Sequence, residues 1–111
     1  MDLIQKKCKP CEGGTLPMQK EDAAKLMMQV IGWQLLQING VDAIEKRFKF
    51  KDFAEAMKFV NNVAALAEEE GHHPNFDIRW NKVALTLWTH AIEGLSENDF
   101  IMAAKIGELH Q

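Results

Sequence analysis

Apolar residues recur along this chain with two periods, and the changes of period mark out its elements. Ala23, Leu26, Met27 and Val30 fall at i, i+3, i+4 and i+7, the spacing that lines one stripe of a helix, and Gly32 stops it. Trp33 to Ile38 and Ala43 to Phe50 then flank Asn39-Gly40, a pair suited to the positive φ of a tight hairpin turn. In the second run Ile44, Lys46, Phe48 and Phe50 alternate with Glu45, Arg47 and Lys49. One face is largely apolar and the other charged, as in a half-buried antiparallel strand.

From Lys51 the period returns to 3.6. Phe53, Ala56, Met57, Val60, Val63, Ala64 and Ala67 predict a long helix that ends where Gly71 and Pro74 oppose its continuation. After a loop of about five residues, a short strand from about Phe76 to Trp80 turns at Asn81-Lys82 into Val83 to His90, which is rich in β-formers. There Val83, Leu85 and Leu87 point one way, and Ala84, Thr86, Trp88 and His90 the other. Ser96 reads as the N-cap of a last helix running to about Leu109, with Asp99 as the acid of a capping box and Leu95 stapled to Phe100. The predicted plan is α+β, in the order α-β-β-α-β-β-α: a four-stranded antiparallel sheet with helices packed on one face. Residues 1–17 read as an N-terminal arm and 18–111 as a single domain.

Composition narrows the function. A chain of 111 residues, 47% hydrophobic and 26% charged, can bury a core without disulfide or metal staples. Its 13 basic and 16 acidic residues, a net charge of −3, offer phosphate backbones no electrostatic advantage, which argues against nucleic acid. No apolar run approaches the ~20 residues of a membrane helix and Met1 to Gln19 holds no signal-like block, so a cytoplasmic protein is expected. Cys8 and Cys11 form a CxxC flanked by lysines, which would lower a thiol pKa. A structural zinc site needs further paired ligands that the sequence does not supply, and a thioredoxin-like motif follows a strand and opens a helix. The two thiols are therefore read as part of the arm.

Three of the four histidines carry the candidate chemistry. If the second hairpin turns near Asn81-Lys82, the start of its first strand meets the end of its second, and His72, His73 and His90 converge at one sheet end. Imidazoles so placed suit either acid/base catalysis near neutral pH or a metal centre. Adjacent His-His argues against a compact chelate. Glu68, Glu69 and Glu70 could complete a metal site, orient an imidazole or stay solvated, so spacing alone leaves these readings, and plain surface histidines, open. The methionines at helical positions read as core or subunit contacts, His110 as a solvated terminal residue, and Lys46, Arg47 and Lys49 as a solvated face.

The ordered motifs carry a resemblance. Glu68-Glu-Glu-Gly-His72-His73-Pro74, Trp80-Asn-Lys-Val83, Leu87-x-Thr-His90 and Gly94-Leu-Ser-x-x-Asp99 resemble the signature of the pterin-4a-carbinolamine dehydratases across nearly the whole chain. Trp33, the Phe48 to Phe53 segment and the Cys-x-x-Cys-Glu-Gly-Gly arm are similar too. The resemblance implies dehydration of a 4a-hydroxytetrahydropterin to quinonoid dihydropterin, without metal or organic cofactor, in support of aromatic amino-acid hydroxylation. It places the catalytic role on His72, His73 and His90, with His72 and His90 as the proton-transfer pair, and substrate contacts on Glu68, Pro74, Trp80 and Thr89. Trp80 and Trp88 offer aromatic surface to a flat pterin. Asp99 matches as well, but its capping role accounts for it and it is not counted in the site. A homodimer or homotetramer is implied, with an exposed edge such as the first hairpin as a pairing surface. The alternatives are a dimerisation module of the transcriptional-cofactor kind and a related enzyme of molybdopterin metabolism.

Overall fold

Asn39 and Gly40 take φ of 52° and 82°, so β1 (Gln34–Ile38) turns tightly into β2 (Val41–Lys49), as the Asn-Gly pair predicts. The computed structural model describes residues 3–9 and 16–110; Cys11 lies outside them. The remaining elements are α1 (Lys20–Met27), α2 (Phe53–Glu70), β3 (Asn75–Arg79), β4 (Lys82–Leu87) and α3 (Glu97–Leu109), with 3-10 turns at Leu3–Gln5 and His90–Ile92. All strands pair antiparallel in the order β1-β2-β4-β3. This is the expected α+β plan.

Period two decides which sheet face is buried. Ile44 and Phe48 of β2 stand opposite Leu87 and Val83 of β4, and these four pack with Ala56, Val60 and Val63 of α2 and Phe100, Met102 and Ile106 of α3. On the other face Glu45, Arg47 and Lys49 face Thr86, Ala84 and Lys82. Asp52 caps α2 by accepting the Glu55 N–H at 2.9 Å, and Gly71 closes it in the left-handed region at φ 68°. Along α2 the buried stripe includes Phe59, whereas Ala64 is exposed and Phe53, on the first turn, is 50% exposed.

Three boundaries differ from the sequence reading. α1 stops at Met27 rather than near Gly32, because the chain turns there to bury Val30 and Trp33 while Met28 and Ile31 face outward. The second hairpin turns at Trp80-Asn81, one residue early, since Asn81 is pinned to Phe50 by its side-chain amide (2.9 Å) and its carbonyl (2.8 Å). β4 ends at Leu87, not His90: the Thr89 N–H donates to the Gly94 carbonyl at 2.8 Å, and the chain leaves the sheet into the 3-10 turn.

The N-terminal segment is bound to the body of the fold, with Leu3 5% exposed in the core and residues 3–5 packed on α3. His110 is exposed, as expected, and its ring also packs at 4.8–5.6 Å from Phe48, Phe50 and Phe59. Among the described residues no helix is long and apolar enough to cross a membrane.

Candidate active site

The helix stop at Gly71 throws His72, His73 and Pro74 across the end of the sheet, where the chain leaving β4 brings Trp88, Thr89 and His90. All six line one open cavity of about 500 Å³. The three histidines thus share a site.

Each histidine is held differently. His72 Nε2 lies 2.6 Å from Oδ1 of Asp99, a carboxylate with no exposed surface. The other oxygen of Asp99 accepts the Ser96 N–H and the Thr89 hydroxyl, both at 2.9 Å. One buried carboxylate therefore completes the capping box of α3, fixes Thr89 and orients His72. The N-terminus of α3 favours a negative charge at that position. An ionised carboxylate only accepts, so toward the Asp99 carboxylate the His72 Nε2–H is the donor and Nδ1 is left for the ring's chemistry. The sequence reading gave Asp99 the cap alone; the structure adds the imidazole contact.

His73 is exposed, and its Nε2 meets Glu68 Oε2 at 2.6 Å. Glu68 thus reaches an imidazole, one of the roles its position left open, but does not itself line the cavity. His90 opens the 3-10 turn and lies over Trp88, ring centroids 4.4 Å apart at 39°. Pro74 is buried in the cavity wall. Thr89 is 4% exposed, and its hydroxyl is engaged by Ser96 (2.7 Å) as well as Asp99, so its side chain serves the scaffold. Trp80 stands apart from the others. It occupies the turn at the far end of β3, roughly 16 Å of strand from Asn75, is 69% exposed, and does not line the cavity. Trp88 is the aromatic surface that the cavity does contain.

The floor of the cavity also departs from expectation. Glu70, 3% exposed at its side chain, pairs with Lys105 at 2.7 Å and accepts the Cys8 N–H at 2.9 Å. Burial alone would raise this carboxyl, but the Lys105 hydrogen bond, the Cys8 N–H and the nearby lysine charges outweigh it and hold it below the usual carboxylate range. The flanking lysines do not activate Cys8. Burial first, and then the Glu70 charge, push its thiol up to about 12. Among the described residues no three His, Cys, Asp or Glu side chains are grouped as a metal site would need. Cys8, Lys9 and Asn98, which the sequence reading did not place in the site, line the cavity too.

Fold and site together define a small α+β protein whose histidine-lined cavity rests on a buried, helix-capping carboxylate, an arrangement suited to moving protons. Residues 16–109 match the family model described as pterin 4 alpha carbinolamine dehydratase, and the chain belongs to that family. A provisionally named pterin-4-alpha-carbinolamine dehydratase of Rickettsia canadensis is 47% identical over 105 residues, 94% of each chain. One of Nitrosospira multiformis, also provisionally named, is 47% identical over 110 residues, covering 99% of this chain and 94% of its own. Among solved structures, a transcriptional coactivator/pterin dehydratase from Brucella melitensis superposes with a TM-score of 0.78 at 34% identity, over 86% of this chain and 99% of that one. A pterin dehydratase-like protein described as a RuBisCO assembly factor in the alpha-carboxysome gives a TM-score of 0.60 at 29% identity, over 70% and 88%.

Proposed function

We propose that this protein is a cytoplasmic hydro-lyase that dehydrates 4a-hydroxytetrahydropterin to quinonoid dihydropterin by histidine acid/base catalysis. The observation that carries the reading is the 2.6 Å contact between His72 and the fully buried Asp99 in a cavity shared with His90 and Trp88. A protonated imidazole gives its proton to the 4a-hydroxyl, the C4a–O bond breaks and water leaves, while a neutral imidazole takes a proton from a pterin ring nitrogen. Substrate becomes quinonoid dihydropterin plus water, and the two histidines exchange protonation states, to be reset through solvent. His72 and His90 form the proton-transfer pair. His73, held by Glu68, orients substrate, and Trp88 supplies a face for the flat ring. The enzyme works as a homodimer or homotetramer in support of pterin recycling.

The test follows the decay of freshly generated 4a-hydroxytetrahydrobiopterin by ultraviolet absorbance, with and without protein, in the presence of a chelator. Acceleration by the wild-type chain is expected. In the double variant His72→Ala/His90→Ala it should fall by about 10²–10⁴-fold, the usual contribution of positioned acid/base groups. Equal turnover in the double variant would sink the assignment. The Brucella melitensis neighbour's description as a coactivator favours a second reading, a binding module, for which a stoichiometric protein partner without dehydratase activity is the distinguishing result.

A further inference from the structure

Asn98 occupies the second position of α3, where side chains usually face water, yet it is only 8% exposed. Its capping work is already done by Ser96 and Asp99. Instead its amide forms a paired contact with the backbone of one residue of the N-terminal segment: Oδ1 accepts the Lys9 N–H at 2.9 Å and Nδ2 donates to the Lys9 carbonyl at 2.5 Å. These are the two backbone groups that a neighbouring strand would engage. Three further ties hold the same segment. Lys6 reaches Glu97 at 2.8 Å, the Cys8 N–H reaches Glu70 at 2.9 Å, and the Cys8 thiol lies 3.6 Å from the Asn98 carbonyl. Cys8 and Lys9 line the cavity that contains the histidines. Asn98 and Asp99 are adjacent, so a single helical turn fixes both this segment and the His72 ring.

We infer that Cys8 and Lys9, anchored with Lys6 to the start of α3, form a wall of the catalytic cavity that sets substrate affinity, and that Asn98 is the positioning residue that holds it there. The inference rests on the dehydratase reading for its substrate but has its own readout. The wall narrows a cavity that is otherwise open and removes water from one side of the bound pterin. Proton transfer belongs to the histidines. Loss of the wall therefore raises KM and leaves kcat nearly unchanged.

The experiment uses the full chain carrying Cys11→Ser, so that Cys8 is its one thiol. Asn98→Ala should raise KM for the carbinolamine about 10-fold, the scale of losing a pair of hydrogen bonds, with kcat within about 2-fold. Asn98→Asp keeps the acceptor for the Lys9 N–H but loses the donor to its carbonyl, and should fall between. Alkylation of Cys8 by iodoacetamide, slow because burial keeps the thiol protonated, should speed up in Asn98→Ala, and 7,8-dihydrobiopterin should slow it in the parent. Lys9→Pro removes the same N–H without touching α3 and should reproduce both shifts if Asn98→Ala does not fold. Unchanged KM, whether or not Cys8 becomes reactive, overturns the inference, as does a fall in kcat that matches the histidine variants. If the parent shows no turnover yet dihydrobiopterin protects Cys8, the wall stands and the dehydratase reading falls. Absence of both turnover and protection overturns both.

Discussion

Asp99 shows how one side chain can answer to several demands. Its two oxygens accept from a backbone N–H, a hydroxyl and an imidazole, and no part of it is exposed. Changing it to Asn preserves volume and a capping oxygen but puts a neutral amide beside His72. A hydrogen bond to a charged group is worth about 1.5–3 kcal/mol, so Asp99→Asn is expected to lower kcat by about 10- to 150-fold while KM changes little. Steady-state kinetics beside a thermal melt check this; a variant that loses stability but keeps kcat would reduce Asp99 to its capping role. The sequence shows Asp99 as the third residue after Ser96, which is why the cap was legible. The His72 contact spans 27 positions of chain and depends on how α3 docks under the β3 loop, a tertiary fact that local spacing does not encode. Cys8 shows the same limit in reverse. Its neighbouring lysines are visible in the sequence, but burial and Glu70, which are not, decide its chemistry.

At the scale of elements, α3 works at both ends. Its first turn carries Glu97, Asn98 and Asp99, which hold the N-terminal segment and His72. Its last residue leads into His110, whose ring sits against Phe48, Phe50 and Phe59. Burial first, then the Lys46 charge, lower the His110 pKa. A cationic group with a depressed folded-state pKa binds its proton more readily in the unfolded chain, so its contribution to stability is intact above about pH 6.5 and is lost as pH falls below it. His110→Phe keeps a ring in the cluster and cannot titrate. Melting temperatures of the wild type should drop relative to this variant between pH 7 and 5, and parallel curves would remove His110 from the acid response. Elements whose signals are local were readable in the sequence: the Asn39-Gly40 turn, the Gly71 end of α2, the Ser96 capping box. Where a distant partner decides, they were not. β4 stops at Leu87 because Thr89 is drawn toward Gly94, Ser96 and Asp99, and nothing in the β-rich run up to His90 announces that bend.

At the scale of the whole molecule, the sheet formed by the described residues is open at both edges, β1 and β3, and the two edges differ. On β1 Leu35, between Gln34 and Leu36 and opposite the buried Ile44, is 40% exposed. On β3 every residue is exposed, and Phe76 and Ile78, whose partners Leu85 and Val83 lie in the core, are 37% and 38% exposed. Trp80 at the tip is 69% exposed and held at φ 51°, a backbone region that bulky residues rarely adopt. An uncapped strand edge flanked by three large apolar side chains is a surface that a monomer would normally blunt with charge or proline. For the proposed oligomer we place the second copy on β3, rather than on the first hairpin expected from the sequence, extending the sheet and covering Phe76 and Ile78. Ile78→Lys places a charge in that seam and should reduce the assembly by a factor of two in sedimentation, whereas Leu35→Lys on β1 should leave it intact. Because β3 begins at Asn75, directly after His73 and Pro74, a seam along this strand would brace the histidine loop from outside. Ile78→Lys should then lower activity along with assembly, and full activity in a dissociated Ile78→Lys chain would show that each cavity works alone.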